Sequence, residues 1–323
     1  MGRILFAWEL GANFGHLARD LPVAKRLREL GHDVLFAVKD VRVAMQALEP
    51  AGFHFVQAPC PNPPLRLATP PVNYSEILVG TGYCDPSLLG GLVQAWLRVF
   101  EFYGADIVVI NHAPTALLAA RVGGLAAIAT CIGFELPPDT DVLPSIRPWE
   151  SIPEPRLRQA DAQALQQINA VLRQHGKAPL PRVADLFANV PAVLTTFPEL
   201  DHYGARVGSR YTGPISALPN VAEREWPRGG NARIFAYLRP LCPWVHTFAG
   251  SVERNRRIRT LCGTRYCAGR GDPVCFTSIR HRHGASRTWH RAQASRSGYR
   301  LWHGNHVGRV IGRCTAADGA ASG

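Results

Sequence analysis

The chain opens on a short apolar run, Ile4 to Trp8, and then changes period. From Phe14 onward Leu17, Leu21, Ala24 and Leu27 recur at helical spacing, while Arg19, Lys25, Arg26 and Glu29 fall on the other side. A short continuous apolar run followed by such a stripe reads as a buried parallel strand feeding an amphipathic helix. Gly31 stands where a left-handed residue ends a helix, and Asp33 to Val38 restarts the strand pattern. The opening is a βαβ unit, and the expected fold class is α/β.

The rhythm continues along the chain. Val41 to Leu48 predicts a helix, Phe53 to Val56 a strand, and Ala58 to Pro71 a proline-rich loop. Tyr74 to Val79 and Leu88 to Phe102 predict helices, the second with Leu92, Trp96, Val99 and Phe100 as its core stripe. Ala105 to His112 predicts a buried strand with polar residues at its carboxyl end, and Ala126 to Cys131 predicts another. Arg121 interrupts the apolar stretch from Ala113 to Ile132, which makes it a buried element and not a membrane span. Asp139 to Pro155 reads as a connection and Gln159 to His175 as an exposed helix. Ala217 to Asn231 reads as a linker, and Arg233 to Leu238 as a strand after it.

In a doubly wound sheet the loop leaving the first strand lies at the carboxyl edge, where ligands bind. Gly11, Asn13, Gly15 and His16 occupy that loop, and Asn111 and His112 end a later strand at the same edge. The strand, the loop ending Gly15-His16, Pro22 in the helix and then Leu30-Gly31-His32-Asp33-Val34 resemble the opening of UDP-sugar-dependent glycosyltransferases of the GT-B fold. Bacterial members with a Gly-His-Leu-x-Arg-x-x-Pro motif are particularly similar. The resemblance implies a Rossmann-like N-terminal acceptor domain over 1–216, with Val193 to Phe197 and Tyr211 to Pro214 as its last two strands, a linker over 217–231 and the start of a Rossmann-like donor domain at 232–240, with Arg233 to Leu238 as its first strand. It also implies inverting transfer of a sugar from a UDP-sugar, a donor substrate and not a cofactor, to a hydroxyl of a small-molecule or lipid acceptor. His16 takes the part of general base, with Gly11, Asn13, Gly15 and His112 in the acceptor loop. Where this chain has Asn111, the family pattern has an Asp that orients and charge-stabilises the histidine. Asn can hold a ring by hydrogen bonding but brings no carboxylate charge against an imidazolium; His112 is the alternative partner. No metal ligands are expected. A nicotinamide-binding reading is disfavoured, because Gly11-x-x-x-Gly15 lacks the dinucleotide glycine spacing and only Asp40 lies near the end of the second strand.

Charge changes the picture of the tail. The chain carries a net +12, and residues 241–323 hold fourteen Arg, no Lys and only three acids, so nearly the whole excess lies there. Cys60, Cys84 and Cys131 in the body are widely spaced, which suits reduced thiols and a cytoplasmic protein, or one peripheral at the inner membrane face. Neither a secretory signal nor a transmembrane segment is expected. In the tail, Cys262, Cys267, Cys275, His281 and His283 match no closed zinc site, and the arginines lack the aromatic platform or module of a specific nucleic-acid binder.

The strand–helix rhythm stops after about Pro240, and the family's donor signature is absent. Reading the possible codons of residues 312–323 one base later permits a Gly-Val-Pro string close to that signature, and residues 294–304 permit the preceding strand and glycine turn in the same frame. The tail over 241–323 is therefore expected to be out of frame and unfolded, with the second domain truncated after its first strand. The resulting expectation is a glycosyltransferase relative that is inactive as translated. The alternative is a non-catalytic acceptor-binding remnant trailing a disordered basic tail.

Overall fold

In β1 (Arg3–Trp8), Ile4, Phe6 and Trp8 join one apolar cluster while Leu5 and Ala7 join another. A strand buried on both faces has to lie inside a sheet covered twice by helices. The computed structural model describes residues 1–12, 14–61, 67 and 69–215, together with the backbone of residues 234–235, 261–265 and 274–276.

A first unit runs from Met1 to Ala217. After β1 come α1 (Gly15–Glu29), β2 (Asp33–Val38), α2 (Val41–Ala47), β3 (His54–Gln57), α3 (Tyr74–Val79) and α4 (Pro86–Tyr103). They are followed by β4 (Ile107–Asn111), α5 (Pro114–Gly123), β5 (Ala126–Cys131), α6 (Glu154–Gln174), β6 (Ala192–Leu194) and β7 (Arg210–Tyr211). The seven strands form one sheet in the order β3-β2-β1-β4-β5-β6-β7, and every neighbouring pair is parallel. This is a Rossmann-like α/β sheet. Its strand order reverses between β1 and β4, the point at the carboxyl edge where such sheets bind their ligands.

The helices cover the faces as the alternation requires. Leu17, Leu21 and Ala24 of α1 pack with Phe6, Phe36 and Val38 on one side, where the Phe6 and Phe36 rings stack at 4.9 Å. On the other side Leu5, Ala7, Val108 and Ile110 meet Val93 and Trp96 of α4, the apolar length of α5, and Ile168 and Val171 of α6. The larger helices end as local chemistry dictates: the Asp85 side chain accepts from the Ser87 amide at 2.7 Å to start α4, and Gly104 closes it at φ 64°.

Three expectations are corrected. Helix α6 begins at Glu154, within the stretch read as a connection, because Pro153 precedes it and Pro155 sits in its first turn, where an N–H has no intrahelical partner to lose. The same helix is not an exposed one, since Ala160, Ala164, Ile168, Val171 and Leu172 are buried. Strand β4 stops at Asn111, and His112 leaves it in a left-handed conformation at φ 49°.

A second unit spans Leu218 to Gly323. In it Ile234–Phe235 pairs in parallel with Leu261–Arg265, which pairs antiparallel with Val274–Phe276. The expected linker and the frame-shifted reading of the tail otherwise lie outside the described residues. Among the described residues no helix is long and apolar enough to cross a membrane.

Leu21 is fully buried between α1 and the sheet. Leu21→Ala is expected to lower unfolding free energy by about 2–5 kcal/mol, read as a reduced urea midpoint with an unchanged slope.

Candidate functional site

Three chain segments meet at the point where the strand order reverses. Helix α1 begins immediately after the loop from β1, and its i, i+3, i+4 spacing turns His16, Arg19 and Asp20 toward the edge of the sheet. Strand β4 delivers Asn111 and then His112. The turn after β5, Gly133–Glu135, brings in Glu135.

Asn111 is fully buried and binds on both sides of its amide. Its Nδ2 donates to Asp20 Oδ2 at 2.5 Å and to the His16 carbonyl at 3.1 Å. Since both of those partners are acceptors, the amide orientation is fixed and Oδ1 faces the other way. Oδ1 lies 2.8 Å from His16 Nδ1 and also accepts from Arg19. A carbonyl oxygen can only accept, so His16 carries its proton on Nδ1 and leaves Nε2 with a free lone pair. The ring is further held by Trp8, stacked at 5.1 Å, whose indole N–H donates to the Leu10 carbonyl at 2.6 Å.

Charge surrounds this imidazole. Glu135 Oε1 lies 3.6 Å from His16 Nδ1, and Glu135 Oε2 pairs with Arg19 at 2.8 Å while accepting from the Ile132 amide at 2.9 Å. Asp20 Oδ1 accepts from Thr130 at 3.0 Å. Burial pushes His16 below the usual histidine range, and Glu135 is the largest influence opposing it, so the ring is neutral near pH 7. Burial raises Asp20 to about 6 against the pull of Arg19. Burial also acts to raise Glu135, but Arg19 and the two histidines outweigh it and hold the group below the usual carboxylate range.

His112 is buried, with Nδ1 4.0 Å from Glu135 Oε1 and no hydrogen-bond partner for Nε2 among the described residues. Burial drives it down to about 3, so it is neutral. His16, His112 and Glu135 each bring one ligand atom within 4.8 Å of the others. Arg19 already supplies the positive charge that Glu135 meets, which makes the group an ion-pair network.

The loop glycines differ in their roles. Gly11, at φ 80°, lies so close to His16 that an added Cβ would come within 2.2 Å of Nε2; Lys39 donates to its carbonyl at 2.9 Å. Gly15 is the first residue of α1, and an added Cβ there would meet nothing within 4 Å among the described residues. Asn13 lies outside the described residues.

Two buried carboxylates brace the arrangement. Ala113 gives α5 no side-chain cap; the Glu9 carboxylate does so instead, accepting from the amides of Thr115, at 3.2 Å, and Ala116. Burial raises Glu9 to about 7. Asp201 accepts from Arg206 at 3.0 Å and from the Tyr211 hydroxyl at 2.7 Å, and Arg206 donates to the Gly133 carbonyl at 2.7 Å, which pins the turn bearing Glu135. A Cβ at Gly133 would meet Asp201 Oδ1 at 2.0 Å.

No family model matches the chain, and no curated protein does. Solved structures do. SnogD from Streptomyces nogalater, a glycosyltransferase, is 18% identical over 77% of this chain and 62% of its own, with a TM-score of 0.47. SsfS6, a glycosyltransferase from Streptomyces sp. SF2575, is 16% identical over 82% and 68%, with a TM-score of 0.48. The likeness is to glycosyltransferases. Spinosyn forosaminyltransferase SpnP is a third, 17% identical over 84% of this chain and 67% of its own, with a TM-score of 0.47. The chain thus spans about two thirds of the length of these glycosyltransferases, 62% in the case of SnogD.

The structure gathers His16, Asn111, His112 and Gly11 at one point. It also adds Arg19, Asp20, Thr130 and Glu135, which the sequence reading passed over. Arg19, placed on the polar side of α1 by periodicity, is buried at 6% exposure: Glu135 meets its charge at one terminal nitrogen and Asn111 accepts from the other, while Nε has no partner among the described residues. The signal available was an adjacent Arg-Asp pair at i+3 and i+4 from a loop histidine, flanked by Leu17 and Leu21.

Two outcomes follow. Gly11→Ala is expected to destabilise the protein by about 1–2 kcal/mol through its left-handed backbone, with displacement of His16 visible as a shifted ring resonance in NMR spectra. For Glu9, the folded group keeps its proton to about pH 7 whereas the unfolded one loses it near 4.5. Its contribution to stability is therefore complete below the lower value and lost as pH rises through the upper one. Between about pH 5 and about pH 8 the wild type should lose stability relative to Glu9→Gln, measured as the pH dependence of the difference in their urea midpoints.

Proposed function

We propose that the first unit activates an acceptor hydroxyl for sugar transfer, with His16 as general base. The observation that supports this best is the state of the ring: neutral, held at Nδ1 by Asn111, with an unprotonated Nε2 beside Gly11 at the switch point of the sheet. In the proposed reaction Nε2 takes the proton of the acceptor hydroxyl while its oxygen bonds to the anomeric carbon. The bond from that carbon to the nucleotide diphosphate breaks, and the diphosphate leaves with the electron pair. The loop over Gly11, Asn13 and Gly15, with His112, would receive a small-molecule or lipid acceptor in the cytoplasm.

The donor is read as a UDP-sugar from the resemblance of the opening motif. Thymidine diphosphate is the nucleotide bound in one SsfS6 structure, so both bases belong in the test. Residues 1–216 are proposed as the acceptor domain, 217–231 as the linker and 232–240 as the start of a donor domain. Because the donor signature is missing from residues 241–323, the chain as translated is proposed not to complete the transfer. The same absence favours the second reading, an acceptor-binding remnant without turnover.

Calorimetric titration of the full chain with UDP and thymidine diphosphate, beside transfer assays with the matching sugar nucleotides and an acceptor panel, tests both. Acceptor binding without nucleotide binding or turnover is expected. Turnover that falls about 10²–10⁴-fold in His16→Ala would support the base and remove the proposed inactivity, whereas turnover indifferent to that change would remove the base.

A further inference from the structure

A histidine that accepts a proton in a buried site gains a full positive charge, and an amide oxygen sets only a dipole against it. Asn111 is such an amide. The carboxylate nearest the ring among the described residues comes from another segment: Glu135 Oε1, in the turn after β5, stands 3.6 Å from His16 Nδ1, and its side chain is 4% exposed. Its second oxygen is fixed by Arg19 and by the Ile132 amide, so neither the position nor the ionisation of the group is left to solvent.

Among the described residues, the charged groups that act on the ring can be named. Arg19 from α1 and Lys39 after β2 disfavour a proton on His16, as does His112 if charged; Glu135 favours one, and Asp20 reaches the ring through Asn111. Arg19 against ionised Glu135 and Asp20 leaves one negative charge unmatched within the buried group. A proton on His16 balances it.

We propose that Glu135 is the positioning residue that stabilises the protonated His16 ring, in place of the strand-end carboxylate that Asn111 lacks. This rests on the reading of His16 as base. The division of labour also accounts for the amide: Asn111 Nδ2 is the donor that Asp20 requires, and an Asp at 111 would set two carboxylates against each other at that 2.5 Å contact. Asn111 therefore fixes the tautomer, and Glu135 supplies the charge.

Nitrogen-15 NMR of histidine-labelled full-length protein tests the assignment, with His16 identified by the signal lost in His16→Gln. The wild type should show the Nδ1–H tautomer. The titration midpoint of His16 should move to lower pH in Glu135→Gln and stay in place in Glu150→Gln, an exposed surface acid. An unmoved midpoint in folded Glu135→Gln overturns the proposal. Because that variant strands buried Arg19, Glu135→Asp serves where it fails to melt cooperatively: it keeps the charge and withdraws it by one methylene. A lowered midpoint there supports the proposal, and an unmoved one overturns it. The measurement needs no donor, acceptor or turnover, so a failed sugar-transfer reading and a failed role for Glu135 are told apart.

Discussion

The side-chain amide of Asn111 has a donor end and an acceptor end, and the site depends on that polarity. Its donor end is committed to Asp20 and to the first turn of α1; its acceptor end holds His16 and Arg19. Reversing the amide would set Nδ2 against an arginine and Oδ1 against a carboxylate. One buried group thus decides which nitrogen of the imidazole carries a proton, and it does so without bringing a charge of its own. A carboxylate at the same place would contribute charge but could not donate, and Asp20 would keep only its bond from Thr130.

Such a network depends on its ion pair. Removing one side of a buried ion pair typically costs about 3–5 kcal/mol, so Arg19 and Glu135 require each other. The parallel sheet makes this possible. Its order reverses between β1 and β4, which leaves the backbone ends of both strands free of a crossing connection, and the backbone bond from the Leu10 amide to the His112 carbonyl, 3.0 Å long, holds the two exits together. The polar residues stand on that rigid edge, while the apolar faces are sealed by α1 and α2 on one side and α4, α5 and α6 on the other.

The first half of the sheet was legible in sequence because local pattern and tertiary role agree there. Asp33 to Val38 is a strand within its expected bounds, and Gly31 ends α1 in a left-handed conformation at φ 85°. The start of α6 was hidden because prolines that read as loop chemistry are equally at home in a first helical turn. Arg19 was misread because helical periodicity sorts residues by polarity, and a buried cation with two polar partners defeats that sorting. Glu135 gave no local signal at all. Its meaning arises only when the turn after β5 is folded beside α1, a proximity that no spacing along the chain encodes.

The turn that carries Glu135 is itself tethered through Gly133 to Arg206, and Arg206 to Asp201 and Tyr211 at the last strand of the first unit. His16 and Asn111 are synthesised well before these anchors. On a ribosome, the histidine, its amide and even Glu135 would emerge while the strap that pins the Gly133 carbonyl is still unmade. The last anchor of that turn is therefore set only when translation has passed Tyr211, whereas Arg19 and the Ile132 amide, which hold the Glu135 carboxylate itself, are made earlier.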